Sequence, residues 1–172
     1  MKLLSLVVPV FNEEAVIGEF VNATSIVLSQ LPPGINYEII FVDDGSSDQT
    51  HSILVDCIER EKQIRLISLS RNFGHQAALS AGLRAAEGDA VITIDCDLQD
   101  PPELILEFVS RWINGADVVL GRRIDRTSDG LVKRVSARIF YRLMSRLSNS
   151  RMEPEVADYR LVSRKVVDVL LE

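Results

Sequence analysis

Short, mostly apolar runs alternate along this chain with longer segments in which apolar and polar residues mix. A mostly apolar run that ends at a polar or turn-forming residue predicts a strand buried on both faces of a sheet. Such runs occupy residues 3–8, 38–42, 64–69, 90–94 and 117–120. The longer segments have the helical spacing of apolar residues, and most of them end at glycine or proline. They occupy residues 13–31, 48–61, 74–87, 103–114 and 164–171.

This alternation of strands and helices is typical of the α/β class. We expect a parallel sheet covered by helices on both faces. The 172 residues fit one domain, residues 1–172. Hydrophobic residues make up 47% of the chain and charged residues 26%, which excludes a disordered or fibrous protein. Two cysteines are too few for a disulfide framework or a cysteine-rich zinc site.

Polar residues follow four of the predicted strands, at the point where each strand ends. They are Asn12 to Glu14, Asp43 with Asp44, Arg71 with Asn72, and Asp95 with Asp97. Taken singly, each is more typical of a turn or a helix cap than of a site. The carboxyl ends of parallel strands meet at one edge of the sheet, where ligands bind in this class. Like charges gathered there would repel unless a cation or a polar ligand were bound, so we expect the site at this edge.

Asp95 and Asp97 form the sharpest pair within that set. Alternate residues of an extended segment point the same way, about 7 Å apart. Two carboxylates at this spacing can share a divalent cation, and Mg²⁺ or Mn²⁺ prefers such oxygen ligands. We expect Cys96, which lies between them, to point away and pack in the core.

Charge is distributed unevenly within a net charge of −6. Residues 1–110 carry 17 acidic and 6 basic side chains, whereas residues 111–151 carry 3 acidic and 10 basic side chains. A nucleic-acid binder would spread positive charge over its binding face, so no nucleic-acid partner is expected. Residues 132–148 have a helical pattern, with arginines every fourth residue beside an apolar stripe. That pattern is equally typical of a helix in an anionic membrane surface and of a surface helix packed on the sheet.

Six blocks of the chain carry a resemblance to a known family. They read VVPVFNEEAVI (7–17), EIIFVDDGSSDQT (38–50), LSRNFGHQAALSAGL (69–83), DAVITIDCDLQDPPELI (89–105), VVLGRR (118–123) and ADYRLVSRKVVDVL (157–170). Together they resemble the family 2 glycosyltransferases, and RNFGHQAAL with DLQDPPE resembles the polyprenyl-phosphate glycosyltransferases among them. This subfamily includes bactoprenol glucosyltransferases and dolichyl-phosphate mannose synthases. The resemblance implies the GT-A fold, a Rossmann-like, mostly parallel sheet with helices on both faces.

The resemblance also implies an activity. It is the inverting, metal-dependent transfer of a sugar, glucose in the bacterial branch, from a nucleotide-sugar such as UDP-glucose to a polyprenyl phosphate. The cofactor would be Mg²⁺ or Mn²⁺, and the reaction would take place at the cytoplasmic face of the cell membrane, with this chain soluble or peripheral. Two alternatives remain: a soluble family 2 enzyme with a saccharide acceptor, and a non-catalytic nucleotide-sugar-binding fragment. A receiver-like signalling domain would explain the acidic pair after the second strand but not the one after the fourth. A homo-oligomer is left open.

Residue roles follow from the matching blocks. The residues that the resemblance places at the nucleotide are Pro9, Asn12, Glu14, Asp43, Asp44, Arg71 and Asp95. The predicted metal ligands are Asp95, Asp97 and Gln99. The predicted catalytic residues are Asp158, Arg123 and Arg134. The two arginines would hold the phosphates of donor and acceptor.

Asp158 falls on the residue usually proposed as the catalytic base of this family. A phosphate monoester has a second pKa near 6, so the acceptor is mostly ionised at pH 7 and hardly needs a base. We therefore expect Asp158 to position groups or to stabilise positive charge on the sugar. His75, in the first turn of a predicted helix, either approaches a phosphate or has a capping or packing role.

The C-terminal side of the chain differs from the family pattern. Members of this subfamily continue into two transmembrane helices, whereas this chain ends within the predicted helix 164–171. We therefore expect a truncated catalytic domain. The longest uncharged run, residues 20–37, is too polar and too broken by proline to span a bilayer.

Overall fold

The computed structural model of the protein describes residues 1–122 and 156–172. The strands are β1 (Lys2–Val10), β2 (Ile35–Asp43), β3 (Ile64–Ser68), β4 (Ala90–Thr93), β5 (Val118–Arg122) and β6 (Val156–Ser163). The helices are α1 (Ile17–Leu28), α2 (Thr50–Arg60), α3 (His75–Ala85), α4 (Leu104–Ile113) and α5 (Arg164–Leu171). The predicted alternation of strands and helices is confirmed in each of the described segments that carried a prediction.

The strands form one sheet with the order β3-β2-β1-β4-β6-β5. β1 pairs in parallel with β2 and β4, and β2 pairs in parallel with β3. β6 runs antiparallel to β4, with Ala90 opposite Ser163. The mostly parallel sheet is confirmed. The sequence did not predict β6, because its pairing partner lies far away along the chain.

Helices cover both faces of the sheet, as predicted. On one face, Leu79 of α3 and Val167 of α5 share a core with Val7 of β1. On the other face, the ring of Phe20 in α1 meets Phe41 of β2 edge-on at 6.2 Å between centroids. The rings of Phe108 in α4 and Tyr159 in β6 lie 4.8 Å apart between centroids. They are on the same face as Phe20 and Phe41, since side chains alternate between the two faces along a strand. The core therefore has two layers that hold the parallel strands rigidly between them.

Close packing of α3 on β1 depends on Gly82. A Cβ atom at this position would collide with Cγ1 of Val7 and lie 3.1 Å from Cγ2 of Val42. The glycine therefore lets the helix approach the sheet more closely than a larger residue would. That approach places the N-terminus of α3 at the carboxyl edge of β1.

At the opposite edge of the sheet, the buried carboxylate of Glu38 on β2 links neighbouring chain segments by hydrogen bonds. Its oxygens accept hydrogen bonds from Ser5 Oγ at 2.6 Å, from the Glu87 N–H at 2.9 Å and from Arg65 Nη1 at 2.7 Å. Burial alone would raise the pKa of Glu38, but these hydrogen bonds lower it below its ordinary value. The ionised carboxylate thus ties β1, β3 and the turn before β4 together.

The chain forms two compact units, residues 1–119 with 158–172 and residues 120–157. Most of the second unit lies outside the described residues, and so do Arg123, Arg134 and the predicted basic helix 132–148. Within the described residues, no helix is both long enough and apolar enough to cross a bilayer.

Candidate functional site

A cleft of about 310 Å³ opens at the carboxyl edge of the parallel strands, where the sequence predicted the site. It lies beside the end of β1, the loop after β4 and the N-terminus of α3. The lining residues are Pro9, Val10, Phe11, Glu13, Asp44, Asn72, His75, Ala78, Asp95, Cys96 and Asp97. The cleft therefore brings together Pro9, Asp44, Asp95 and Asp97 from the predicted set.

Carboxylates crowd one wall of this cleft. The pKa of Glu13 is raised by burial and then by the negative charges of Asp97, Asp48 and Asp95. The pKa of Cys96 is raised to about 12 by burial, and the neighbouring carboxylates add to this shift. Cys96 is buried as a neutral thiol, as expected for a packing residue, but it lines the cleft together with Asp95 and Asp97 instead of pointing away from it. This wall has an excess of negative charge that a cation would relieve.

The loop after β4 turns sharply behind Asp97. Leu98 has a φ of 58°, and Asp97 Oδ1 accepts a hydrogen bond from the Gln99 N–H at 3.0 Å. Gln99 is exposed and lies outside the lining of the cleft. No group of three or more histidine, cysteine, aspartate or glutamate side chains is gathered as a ligand set within the described part of the chain.

Asn12 and Glu14 hold the loop after β2 instead of lining the cleft. Asn12 Oδ1 accepts a hydrogen bond from the Ser47 N–H at 2.8 Å, and Glu14 Oε2 accepts one from the Gln49 N–H at 2.9 Å. In return, the N–H of Glu14 donates to Asp48 Oδ2 at 3.1 Å. These bonds join residues 12–14 to the loop after β2, and α1 starts at Ile17, later than predicted. Nucleotide contacts of Asn12 and Glu14 stay a prediction.

The two aspartates after β2 have different surroundings. Asp43 is buried; its Oδ1 accepts the Ser46 N–H at 2.9 Å, and its Oδ2 lies 3.1 Å from His51 Nδ1. Asp44 lines the cleft, and its two oxygens accept the N–H groups of Phe73 and Gly74, both at 2.8 Å. Asp44 is as buried as Asp43, but it is the member of the pair that lines the cleft.

The turn between β3 and α3 also contributes to the lining. Asn72 and His75 line the cleft, and His75 Nε2 lies 3.9 Å from Asp95 Oδ1. The guanidinium of Arg71 stacks over the exposed ring of Phe73, 4.8 Å from its centroid, and lies outside the lining. The predicted contact of Arg71 with a diphosphate stays a prediction.

Asp158 belongs to β6, which enters the sheet next to β4. The sequence did not predict this strand. Arg123 and Arg134 lie outside the described residues. The catalytic roles of all three stay predictions.

Besides His75, whose role was left open, six lining residues were not assigned to the site from the sequence: Val10, Phe11, Glu13, Asn72, Ala78 and Cys96. Glu13 and Asn72 belonged to the polar clusters that follow the strands, which was the available signal. The sequence could not indicate which member of each cluster faces the cleft. That choice depends on the hydrogen bonds that fix each loop.

Comparison with known proteins indicates the family to which this chain belongs. The model of the family called Glycosyl transferase family 2 matches residues 5–171. The bactoprenol glucosyl transferase of Shigella phage SfV is 47% identical over 165 residues, which are 96% of this chain and 53% of that protein. The undecaprenyl-phosphate 4-deoxy-4-formamido-L-arabinose transferase of Photorhabdus laumondii is 35% identical over 173 residues, covering 100% of this chain and 52% of that protein. The chain spans about half the length of the curated relatives it matches.

A solved structure shares the same architecture. The glucosyl-3-phosphoglycerate synthase of Mycobacterium tuberculosis, in complex with Mn²⁺, uridine diphosphate and phosphoglyceric acid, matches with a TM-score of 0.66 and 25% identity. The match covers 96% of this chain and 57% of the synthase. The predicted GT-A fold and the predicted family are thus confirmed: this chain belongs to glycosyltransferase family 2.

Proposed function

We propose that this chain binds a nucleotide-sugar and transfers its sugar to a polyprenyl phosphate, with inversion at the anomeric carbon. The donor is UDP-glucose and the cofactor is Mg²⁺ or Mn²⁺. Support comes from the relatives named as bactoprenol and undecaprenyl-phosphate transferases and from the neighbour that binds Mn²⁺ and uridine diphosphate.

One observation carries the proposal: Asp95 and Asp97 meet Asp44 and Pro9 in a single cleft at the carboxyl edge of the sheet. The carboxylate oxygens of Asp95 and Asp97 are the hard ligands that Mg²⁺ and Mn²⁺ prefer. Burial raises the pKa of Glu13, and the negative charges of Asp97, Asp48 and Asp95, which such an ion would offset, raise it further. These residues therefore fit a divalent cation, with Gln99 as a further candidate ligand. When bound, the ion supplies positive charge to the departing diphosphate.

The remaining roles belong to the chain itself. In this proposal Asp43 reads the base, with Asp44 nearby, and Pro9, Asn12 and Glu14 hold the nucleotide. Arg71, Arg123 and Arg134 hold donor and acceptor phosphates. An oxygen of the acceptor phosphate forms the new bond to the anomeric carbon while the bond from that carbon to the diphosphate breaks. Asp158 positions the reacting groups, because an ionised phosphate needs no base.

We place the reaction at the cytoplasmic face of the membrane, with this chain as a peripheral component. The lipid acceptor requires such a location, and the predicted basic helix 132–148 would contact anionic headgroups. A water-soluble acceptor is the second candidate, because the structural neighbour was solved with phosphoglyceric acid.

A donor and acceptor panel tests the proposal. Radiolabelled UDP-glucose, UDP-N-acetylglucosamine and GDP-mannose are each incubated with Mn²⁺ and either undecaprenyl phosphate in vesicles or phosphoglyceric acid in solution. We expect label in the lipid fraction with UDP-glucose, inverted anomeric configuration and no transfer after chelation. Transfer to the soluble acceptor alone would overturn the assigned acceptor. Donor binding without transfer to either would favour a nucleotide-sugar-binding fragment.

A further inference from the structure

His75 occupies a distinctive position in the cleft, beyond the roles assigned above. It is the first residue of α3, its side chain is 39% exposed, and its Nε2 lies 3.9 Å from Asp95 Oδ1. The imidazole therefore faces the carboxylate that would share the cation. A ligand held beside Asp95 in the cleft would therefore lie close to Nε2.

The charge balance of the cleft indicates what His75 would contact. Its lining includes the carboxylates of Glu13, Asp44, Asp95 and Asp97. Among the described lining residues, Asn72 and His75 have side chains with N–H donors, and that of His75 lies beside Asp95. A diphosphate that enters this cleft adds further negative charge, and the cation can face only part of it. An N–H donor beside Asp95 would stabilise the remainder.

The fold holds His75 in place through the turn that precedes it. Asp44 accepts the N–H groups of Phe73 and Gly74, the two residues immediately before His75. Gly45 packs so tightly that a Cβ atom there would lie 2.5 Å from the carbonyl carbon of Arg71. The start of α3 is thus fastened to the end of β2. A histidine on a fastened turn can meet a ligand without first ordering its backbone.

We propose that His75 donates a hydrogen bond from Nε2–H to the outer phosphate of the donor's diphosphate. This inference rests on the proposed function. As the bond from the anomeric carbon to the phosphate oxygen breaks, its electron pair moves to the diphosphate. The hydrogen bond to His75 strengthens with that charge, while the proton stays on the imidazole. Asp44 is the positioning residue that holds the turn.

Two variants and one control test this contact in the whole chain. His75→Ala removes the donor, whereas His75→Gln retains an N–H near the position of Nε2. Gln76→Ala alters an exposed neighbour that lies outside the lining of the cleft. Calorimetry measures the affinity of each variant for UDP and for UMP in Mn²⁺, and for Mn²⁺ alone. Thermal unfolding checks that each variant is folded.

We expect His75→Ala to weaken UDP binding about tenfold, since a charge-assisted hydrogen bond is lost. UMP, which lacks the outer phosphate, should bind unchanged, and so should Mn²⁺. His75→Gln should recover most of the UDP affinity, and Gln76→Ala should match the wild type.

Equal weakening of UDP binding and UMP binding, or a loss of Mn²⁺ affinity, would overturn the proposal. In either case His75 would act by positioning Asp95. Unchanged UDP affinity in His75→Ala would overturn it as well. A wild-type chain that binds none of UDP, GDP and dTDP in Mn²⁺ would overturn the proposed function itself, and the role of His75 with it.

Discussion

Asp44 Oδ2 accepts the main-chain N–H of Gly74 at 2.8 Å, so the loop after β2 and the start of α3 move as one piece. The second oxygen of the same carboxylate binds the N–H of Phe73. Gly74 has a φ of 96°, a conformation that glycine adopts readily and that directs its N–H toward the neighbouring loop. The wall of the cleft is therefore built from two chain segments that one side chain joins.

Gly45→Ala should disrupt this junction. Gly45 has a φ of 73°, and a Cβ atom would lie 2.5 Å from the Arg71 carbonyl carbon. Gly34, with a φ of 89° and no atom within 4 Å of the position that a methyl group would take, provides the matched control. We expect Gly45→Ala to lower the free energy of unfolding by about 2–4 kcal/mol and Gly34→Ala by about 1 kcal/mol. Urea titration measures both, and equal losses would contradict the close approach.

Gly82→Ala should push α3 away from the sheet. The added methyl group would meet Cγ1 of Val7, and we expect a loss of about 1–3 kcal/mol in the free energy of unfolding. Gly18, near the start of α1, has open space around it, so Gly18→Ala should be neutral or stabilise by up to about 1 kcal/mol.

A double variant checks the cause of that loss. Val7→Ala removes the methyl groups that collide with the new side chain at Gly82. It should therefore destabilise the Gly82→Ala chain less than it destabilises the wild type. Additive losses in the thermal unfolding of the single and double variants would show that Val7 is not the residue displaced.

Glu38→Gln should make the chain less stable, and by an amount that depends on pH. Hydrogen bonds lower the pKa of Glu38 below 4.5, so its stabilising contribution is present above that pH and is lost as the pH falls through the folded pKa. We expect Glu38→Gln to lower the free energy of unfolding by about 1–3 kcal/mol at pH 7. The difference from the wild type should shrink below pH 4.5.

Glu87 provides the control for that measurement. Its carboxylate is 73% exposed and lies 3.5 Å from Arg65 Nη1. An exposed pair of this kind contributes about 0–1 kcal/mol, so Glu87→Gln should change little. Denaturant titrations at several pH values compare the two variants. A Glu38→Gln loss that stays constant from pH 7 to acid would argue against ionisation as its source.

Asp97→Asn should weaken the cation site while leaving the loop intact. The amide oxygen can still accept the Gln99 N–H, but the ion loses a charged ligand. We expect Mn²⁺ affinity to fall by about tenfold or more, and UDP affinity to fall only when Mn²⁺ is present. Asp56→Asn, an exposed change on α2, should leave both affinities unchanged. Calorimetry that finds wild-type Mn²⁺ binding in Asp97→Asn would contradict the site.

The sequence predicted the elements well because their signals are local. Apolar runs and helical spacing placed the four parallel strands β1 to β4 and the helices between them to within a few residues. The largest difference was the start of α1 at Ile17, since the N–H groups of Glu13 and Glu14 bind Thr50 and Asp48. Those partners lie at the start of α2 and in the loop before it, and nothing in residues 13–31 indicates them.

By itself the sequence determined the α/β class, the edge of the sheet that carries the site, and the membership of Asp95 and Asp97 in it. Each of these follows from the local order of residues along the chain. The residues after a strand are bonded directly to its end, so they must lie at the same edge of the sheet. Only the tertiary structure decided that β6 enters the sheet antiparallel, that Asp44 rather than Asp43 lines the cleft, and that His75 faces Asp95. Those outcomes depend on hydrogen bonds and packing between segments far apart in the chain, which no local pattern records.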